Sequence, residues 1–356
     1  MTEETQGASP APGAELIGKV LAGRYRILEL LGQGAMGSVY VGEHLKMGRK
    51  DAIKVLRKSI ADDEEAIARF VRGAQHASKV RHPNVCSIYD FAESEDGTAF
   101  LAMELIDGPS LQDYLAEQES LPIHECVQIV EQVADGLQAA HDAGIVHRDL
   151  KPGNIMLTRG RSGKHIVKVV DFDIAKGSSD GEPADLTQLG LVIGTPEYMS
   201  PEQLTADRLD GRSDVYSLGI VLFRMLTGVP PFSAASTREM MVQRLTNVPY
   251  TLVEAAPGQQ FPAAIQEVLD RALARNPDDR YPDAEAFAAA LAKAGAHPFV
   301  APSSGPTPDT DPSTPPPAKG ADLPDPDMSW RRTKRRKRPV PYLIPGAVAL
   351  VVAIAA

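Results

Sequence analysis

With 356 residues and 43% apolar side chains, the chain has core enough for one large domain or two ordinary ones. Its net charge of -10 argues against nucleic acid as a general partner, because a duplex repels an acidic surface. Two cysteines, Cys86 and Cys126, make neither a disulfide framework nor a metal-ligand spacing and read as packing residues of a reducing cytosol.

Residues 1–18 are small, polar and proline-bearing and are expected to be disordered. They lack a basic, apolar signal-peptide pattern, so export of the first domain is not expected. Tyr25 to Leu31 reads as a strand and enters Gly32-Gln33-Gly34-Ala35-Met36-Gly37. A dinucleotide fold would need a helix to begin within those glycines. Instead Ser38 to Glu43 is β-branched and aromatic, so a second strand follows. A glycine turn between two strands lets backbone approach an oxyanion with no Cβ in the way. Asp51 to Leu56 is the next strand. Its Lys54 is a cation in an apolar run, to be met by an anion or to snorkel to the surface.

A helix over 62–80 is acidic at its start, as the macrodipole prefers, and His82-Pro83 ends it. Two strand-like runs follow, the second spanning Phe100 to Gly108. Pro122 to Gly144 carries Val127, Val130, Val133, Leu137 and Ala140 at the spacing of a half-buried helix. It leads into His147-Arg148-Asp149-Leu150-Lys151-Pro152-Gly153-Asn154. There Asp149 can accept a hydroxyl proton, Lys151 can neutralise a phosphoryl oxygen and Asn154 can offer an amide oxygen to a metal. A solvated charge cluster at a helix end would explain any two of these residues, but not the whole string.

That string resembles the catalytic loop of bacterial eukaryotic-like (Hanks-type) serine/threonine protein kinases, in the form that carries lysine at 151. The resemblance runs from about Tyr25 to Ala296. It implies an α+β, bilobal kinase fold, with a β-rich small lobe over 19–103 holding one main helix and a mostly helical large lobe over 108–296. It also implies ATP and Mg2+, with Mn2+ as a substitute, and transfer to Ser/Thr hydroxyls of protein substrates in signal transduction, the chain itself included.

By the same resemblance, Leu31, Gly32, Gly34, Gly37, Val39 and Ala52 surround the nucleotide, and Lys54 holds its α- and β-phosphates. Met103 is the gatekeeper, and the backbone of Glu104 and Ile106 faces the adenine edge. Asp113 either touches the ribose or serves its helix dipole. Asp149 is the base, Lys151 offsets charge on the transferred group, and Asn154 and Asp171 hold the metal. Thr195 resembles the threonine bridging Asp149 and Lys151, and Thr187 a regulatory phosphosite paired with Arg148; Ser178 and Ser179 are further candidates. His147 and Asp214 support the loop, and Glu202 pairs with Arg280.

Two positions depart from the pattern. Gly73 stands in Arg69-Phe70-Val71-Arg72-Gly73-Ala74, where the family has a glutamate that pairs with the strand lysine. Asp171-Phe172-Asp173 replaces D-F-G, and Asp173 offers a carboxylate in partial compensation. A nucleotide-gated scaffold without transfer is the alternative these changes suggest. Beyond the domain, 297–330 reads as a proline-rich linker and 331–339 as a basic segment. The apolar run 340–356 reads as a membrane helix, either minimal or continuing past Ala356, with the kinase domain on the cytoplasmic face. The resemblance also implies homodimers formed through the small lobes.

Overall fold

The computed structural model describes residues 14–34, 36–160, 163–172 and 196–296. Asp173, Ser178, Ser179, Thr187, Thr195 and the segments 297–330, 331–339 and 340–356 lie outside the described residues.

Six strands form one antiparallel sheet: β1 (Val20–Leu21), β2 (Tyr25–Gln33), β3 (Gly37–His44), β4 (Lys50–Leu56), β5 (Ile88–Glu93) and β6 (Ala99–Glu104), in the order β1-β2-β3-β4-β6-β5. Ahead of them Ala14–Leu16 make a 3-10 turn, and the Gly18 N–H is donated to the Ile27 carbonyl at 2.8 Å. That part of the segment expected to be disordered therefore packs on the sheet.

Strand alternation buries both faces. On one face Phe100 and Ala102 of β6 join Tyr25, Ile27, Ile53 and Val55. On the other, Ala99 and Leu101 pack with Leu56 against Phe70 and Ala74 of a helix. The same alternation puts Lys54 between Ala52 and Leu56 on the helix-facing side. The helix expected over 62–80 forms as one piece, α2 (Glu64–Ala77), and a separate short helix, α1 (Lys58–Ala61), precedes it. Asp63 separates them by capping α2: its carboxylate accepts the Glu65 and Ala66 N–H groups at 3.0 Å each.

The second lobe is helical. It contains α3 (Leu111–Gln118), α4 (Ile123–Asp142), the hairpin β7 (Ile155–Arg159) with β8 (His165–Val169), and α5 (Pro201–Thr205), α6 (Gly211–Thr227), α7 (Thr237–Thr246), α8 (Leu252–Ala255), α9 (Ala263–Ala272) and α10 (Ala284–Gly295). Val130, Val133 and Leu137 of α4 share one core with Leu218, Val221 and Leu222 of α6. α6 is buried nearly all round. Cys86 and Cys126 are both buried free thiols, and burial pushes the Cys86 thiol up to about 12, which makes it an inert packing group.

The expected membrane anchor is corrected here. No helix among the described residues is long and apolar enough to cross a membrane. The 20-residue α4 carries Glu125, Glu131 and Asp135 on its polar face, and the apolar α6 stops at 17 residues and is spent inside the core. The segment 340–356, on which the receptor-like single-pass layout and the membrane partner rested, lies outside the described residues.

Candidate active site

The catalytic string lies between α4 and β7, and a buried acid of α6 shapes it. Asp214 is 1% exposed, and its two carboxylate oxygens accept the His147 N–H at 2.7 Å and the Arg148 N–H at 2.9 Å. His141, at the end of α4, donates Nε2–H to the same carboxylate at 2.7 Å. Burial pushes the Asp214 carboxyl up, but the His141 bond and charge, with His147, outweigh it and hold it below the ordinary value. These donors fix Arg148 at φ +63°, a left-handed conformation an unsupported arginine avoids.

His147 ties the loop to the strand that follows. Its Nε2–H is donated to the Val170 carbonyl at 3.0 Å, while Nδ1 accepts the Asp149 N–H at 3.3 Å. The ring is fully buried against Phe172, with centroids 4.6 Å apart. Asp149 is thereby presented with its carboxylate about one-third exposed, where Lys151 Nζ meets Oδ2 at 2.7 Å. Asn154 Nδ2 donates to the Asp149 carbonyl at 2.8 Å and to its Oδ2 at 3.2 Å.

The β7–β8 register pairs Ile155 with Val169, which sets Asn154 beside Val170 and Asp171; the Val170 N–H is donated to the Asn154 carbonyl at 3.0 Å. Asp171 adopts φ +56°, a second strained residue at the same place. Its Oδ1 meets Lys54 Nζ at 2.8 Å, so the buried strand lysine has its anion. Above this pair Ala52, Cys86 and Met103 form an apolar cluster with Val39, Leu105, Ile106 and Val170. That is a slot of the kind a planar base needs. Leu31 and Gly32 are exposed at its rim. The Glu104 N–H goes to the Ser87 carbonyl at 2.9 Å, and its side chain takes Lys168 at 2.8 Å, tying β8 to the segment between the lobes.

The family model of the protein kinase domain matches residues 25–299. The chain belongs to the protein kinase family. It is 43% identical over 279 residues to the serine/threonine-protein kinase pkn3 of Myxococcus xanthus, covering 78% of this chain and 51% of that protein. It is 37% identical over 276 residues to the serine/threonine-protein kinase PknB of Mycobacterium tuberculosis, covering 77% of this chain and 43% of that protein. The chain thus spans about half the length, or less, of these curated relatives. The solved kinase domain of Mycobacterium tuberculosis PknI superposes with a TM-score of 0.60 at 31% identity, covering 78% of this chain and 98% of that one.

In this kinase domain the structure brings Lys54, Asp149, Lys151, Asn154 and Asp171 to one cleft, with His147, Arg148 and Asp214 beneath them. Glu202 and Arg280 meet at the start of α6, bound through both oxygens at 2.7 Å. Thr187 and Thr195 lie outside the described residues. Sequence reasoning missed His141, although it extends the Val133–Leu137 spacing by four residues and so puts a polar group on a buried face. It also missed Gln203, whose side-chain amide holds the Arg148 carbonyl at 2.6 Å, and Arg244, 2% exposed, which donates to the carbonyls of Met199 and Glu197. Neither has a signature in the string of letters.

Proposed function

We propose that this chain is a magnesium-dependent protein serine/threonine kinase that moves the γ-phosphoryl group of ATP to Ser and Thr hydroxyls of proteins, its own included. The observation that carries this reading is the 2.8 Å contact between Lys54 of the sheet lobe and Asp171 of the helical lobe, beside a loop that presents Asp149 and Lys151 together. A purely structural arrangement has no need to gather these groups in one cleft.

The residues fit the metal that such transfer uses. Among the described residues, Asn154 spends only its amide N–H groups and Asp171 spends Oδ1, which leaves one oxygen on each. One carboxylate and one amide oxygen suit magnesium, which keeps waters and phosphate oxygens in its shell. Bound there, it would supply positive charge to neutralise phosphate oxygens. The chain's own groups do the rest. The apolar cluster under Met103 takes the base, and the glycine hairpin covers the phosphates. Lys54 turns from Asp171 to the phosphate oxygens. Asp149 orients the incoming hydroxyl and accepts its proton, and Lys151 offsets charge on the group in flight. Placement and fixed charge supply most of the acceleration, because little covalent work falls to the protein. Thr187 serves as the regulatory acceptor, its phosphate pairing with Arg148.

Incubation of the full chain with labelled ATP and magnesium tests the reading. Label should appear on the protein, first at Thr187, and should vanish in Asp149→Asn while nucleotide binding persists. Wild-type binding with no transfer would overturn the enzyme reading in favour of the scaffold.

A further inference from the structure

The tip of the glycine hairpin is fastened to the end of β4 at three points. Gly37 (φ +158°) lies so close to β4 that a Cβ there would meet the Val55 carbonyl oxygen at 2.0 Å. The Arg57 N–H is donated to the Met36 carbonyl at 3.0 Å. The Arg57 guanidinium is donated to the Gly34 carbonyl at 2.9 Å. The first two contacts are backbone and would survive a change of side chain at 57. The third depends on Arg57 alone, three residues beyond Lys54 in sequence.

We propose that Arg57 is a positioning residue for the nucleotide: a cationic tether that holds the glycine turn at the height where its N–H groups meet the phosphates. This rests on the reading of the cleft as an ATP site. A turn with three glycines in six residues has more backbone freedom than one built of residues with a Cβ, so ordering it on binding is entropically expensive. A tether present before the ligand arrives removes part of that ordering from the binding step.

The geometry also sets polarity. A carbonyl turned toward a triphosphate would repel it, and Arg57 keeps the Gly34 carbonyl engaged with itself. The Met36–Gly37 peptide is planar and trans, so with its carbonyl on Arg57 its N–H points away from β4. Arginine suits the role better than lysine, because its rigid fork gives the carbonyl a directed donor.

Arg57 is exposed, so its side chain can be removed without opening the core. Binding of magnesium with a non-hydrolysable ATP analogue to the full chain, followed by calorimetry, reads the effect. Arg57→Ala should raise Kd, and KM for ATP with it, by about three- to tenfold, the range of one hydrogen bond. kcat, KM for a protein substrate and the melting temperature should hold. Arg57→Lys should recover part of the loss, and amide exchange over 33–38 should quicken in Arg57→Ala. Unchanged nucleotide affinity in Arg57→Ala would overturn the tether while leaving the kinase reading intact. So would an equal rise in both KM values with a fallen melting temperature. No nucleotide binding by the wild type would sink both.

Discussion

Gly73 is half-buried on α2, in the stripe that runs Phe70, Gly73, Ala77, and Ala77 lines the same cavity as Asp171 and Phe172. The family's glutamate at this position would face Lys54; here Lys54 relies on Asp171 for its anion among the described residues. On the proposed reading Asp171 serves the lysine and the metal in turn, and the two compete for it. Gly73→Glu is expected to relieve that competition. Turnover should rise roughly tenfold, equivalent to about 1.4 kcal/mol, in steady-state assays at saturating ATP. Gly73→Ala separates chemistry from helix propensity. It should stabilise α2 by at most about 1 kcal/mol in denaturant titrations and leave turnover where it was. A gain from alanine equal to that from glutamate would show that stiffening of α2, not the carboxylate, limits the enzyme.

At the scale of elements, the catalytic loop is held from two sides, by the head of α6 and the end of α4, through the single carboxylate of Asp214. Asp214→Asn keeps the shape but turns an N–H toward a donor, leaving one of three buried donors unmet. Stability should fall by about 2–3 kcal/mol in urea titrations, and kcat should fall far more than KM for ATP, since the nucleotide slot is built by other elements. Strand alternation, the glycine turn and the helical spacing of Val127 to Ala140 made both lobes legible as letters, because each is a local periodicity. The catalytic side chains were legible through the family's spacing. The partners of those side chains were not. Asp214 reaches the loop across a gap of 67 residues, and Lys168 reaches Glu104 across 64, distances at which sequence carries no geometric constraint. The start of the helix expected over 62–80 turned on one capping aspartate, Asp63, that also reads as an ordinary first-turn acid. The membrane reading rested on composition alone, and no helix among the described residues is long and apolar enough to bear it out.

For the molecule as a whole, Glu202 and Arg280 join α5, the start of α6 and the turn Pro277–Asp279 in one buried knot. Arg280 is 2% exposed; it grips both oxygens of Glu202 at 2.7 Å and the carbonyls of Arg212, Ala274 and Arg275 at 3.0, 2.8 and 2.9 Å. The Ser213 hydroxyl adds a donor to Glu202 at 2.6 Å. Burial pushes the Glu202 carboxyl up, but the Arg280 bonds and charge, with Ser213, outweigh it and hold it below the ordinary 4.5. A carboxyl depressed by folding stabilises the native state above its unfolded value and loses that contribution as pH falls through the folded one; Asp214 acts in the same direction. The wild type should therefore melt progressively lower as pH drops below about 4.5. Removing one side of the knot in Arg280→Met should cost about 3–5 kcal/mol at neutral pH, because a carboxylate is left buried and unpaired. In that variant the Ser213 and backbone hydrogen bonds alone oppose burial, the Glu202 pKa climbs, and protonation becomes a relief rather than a loss. The stability gap between wild type and Arg280→Met should accordingly narrow as pH falls from about 7 to about 4, read by urea titration at each pH. A gap that stays constant or widens would mean that the carbonyl contacts of Arg280, and not its charge on Glu202, hold the knot.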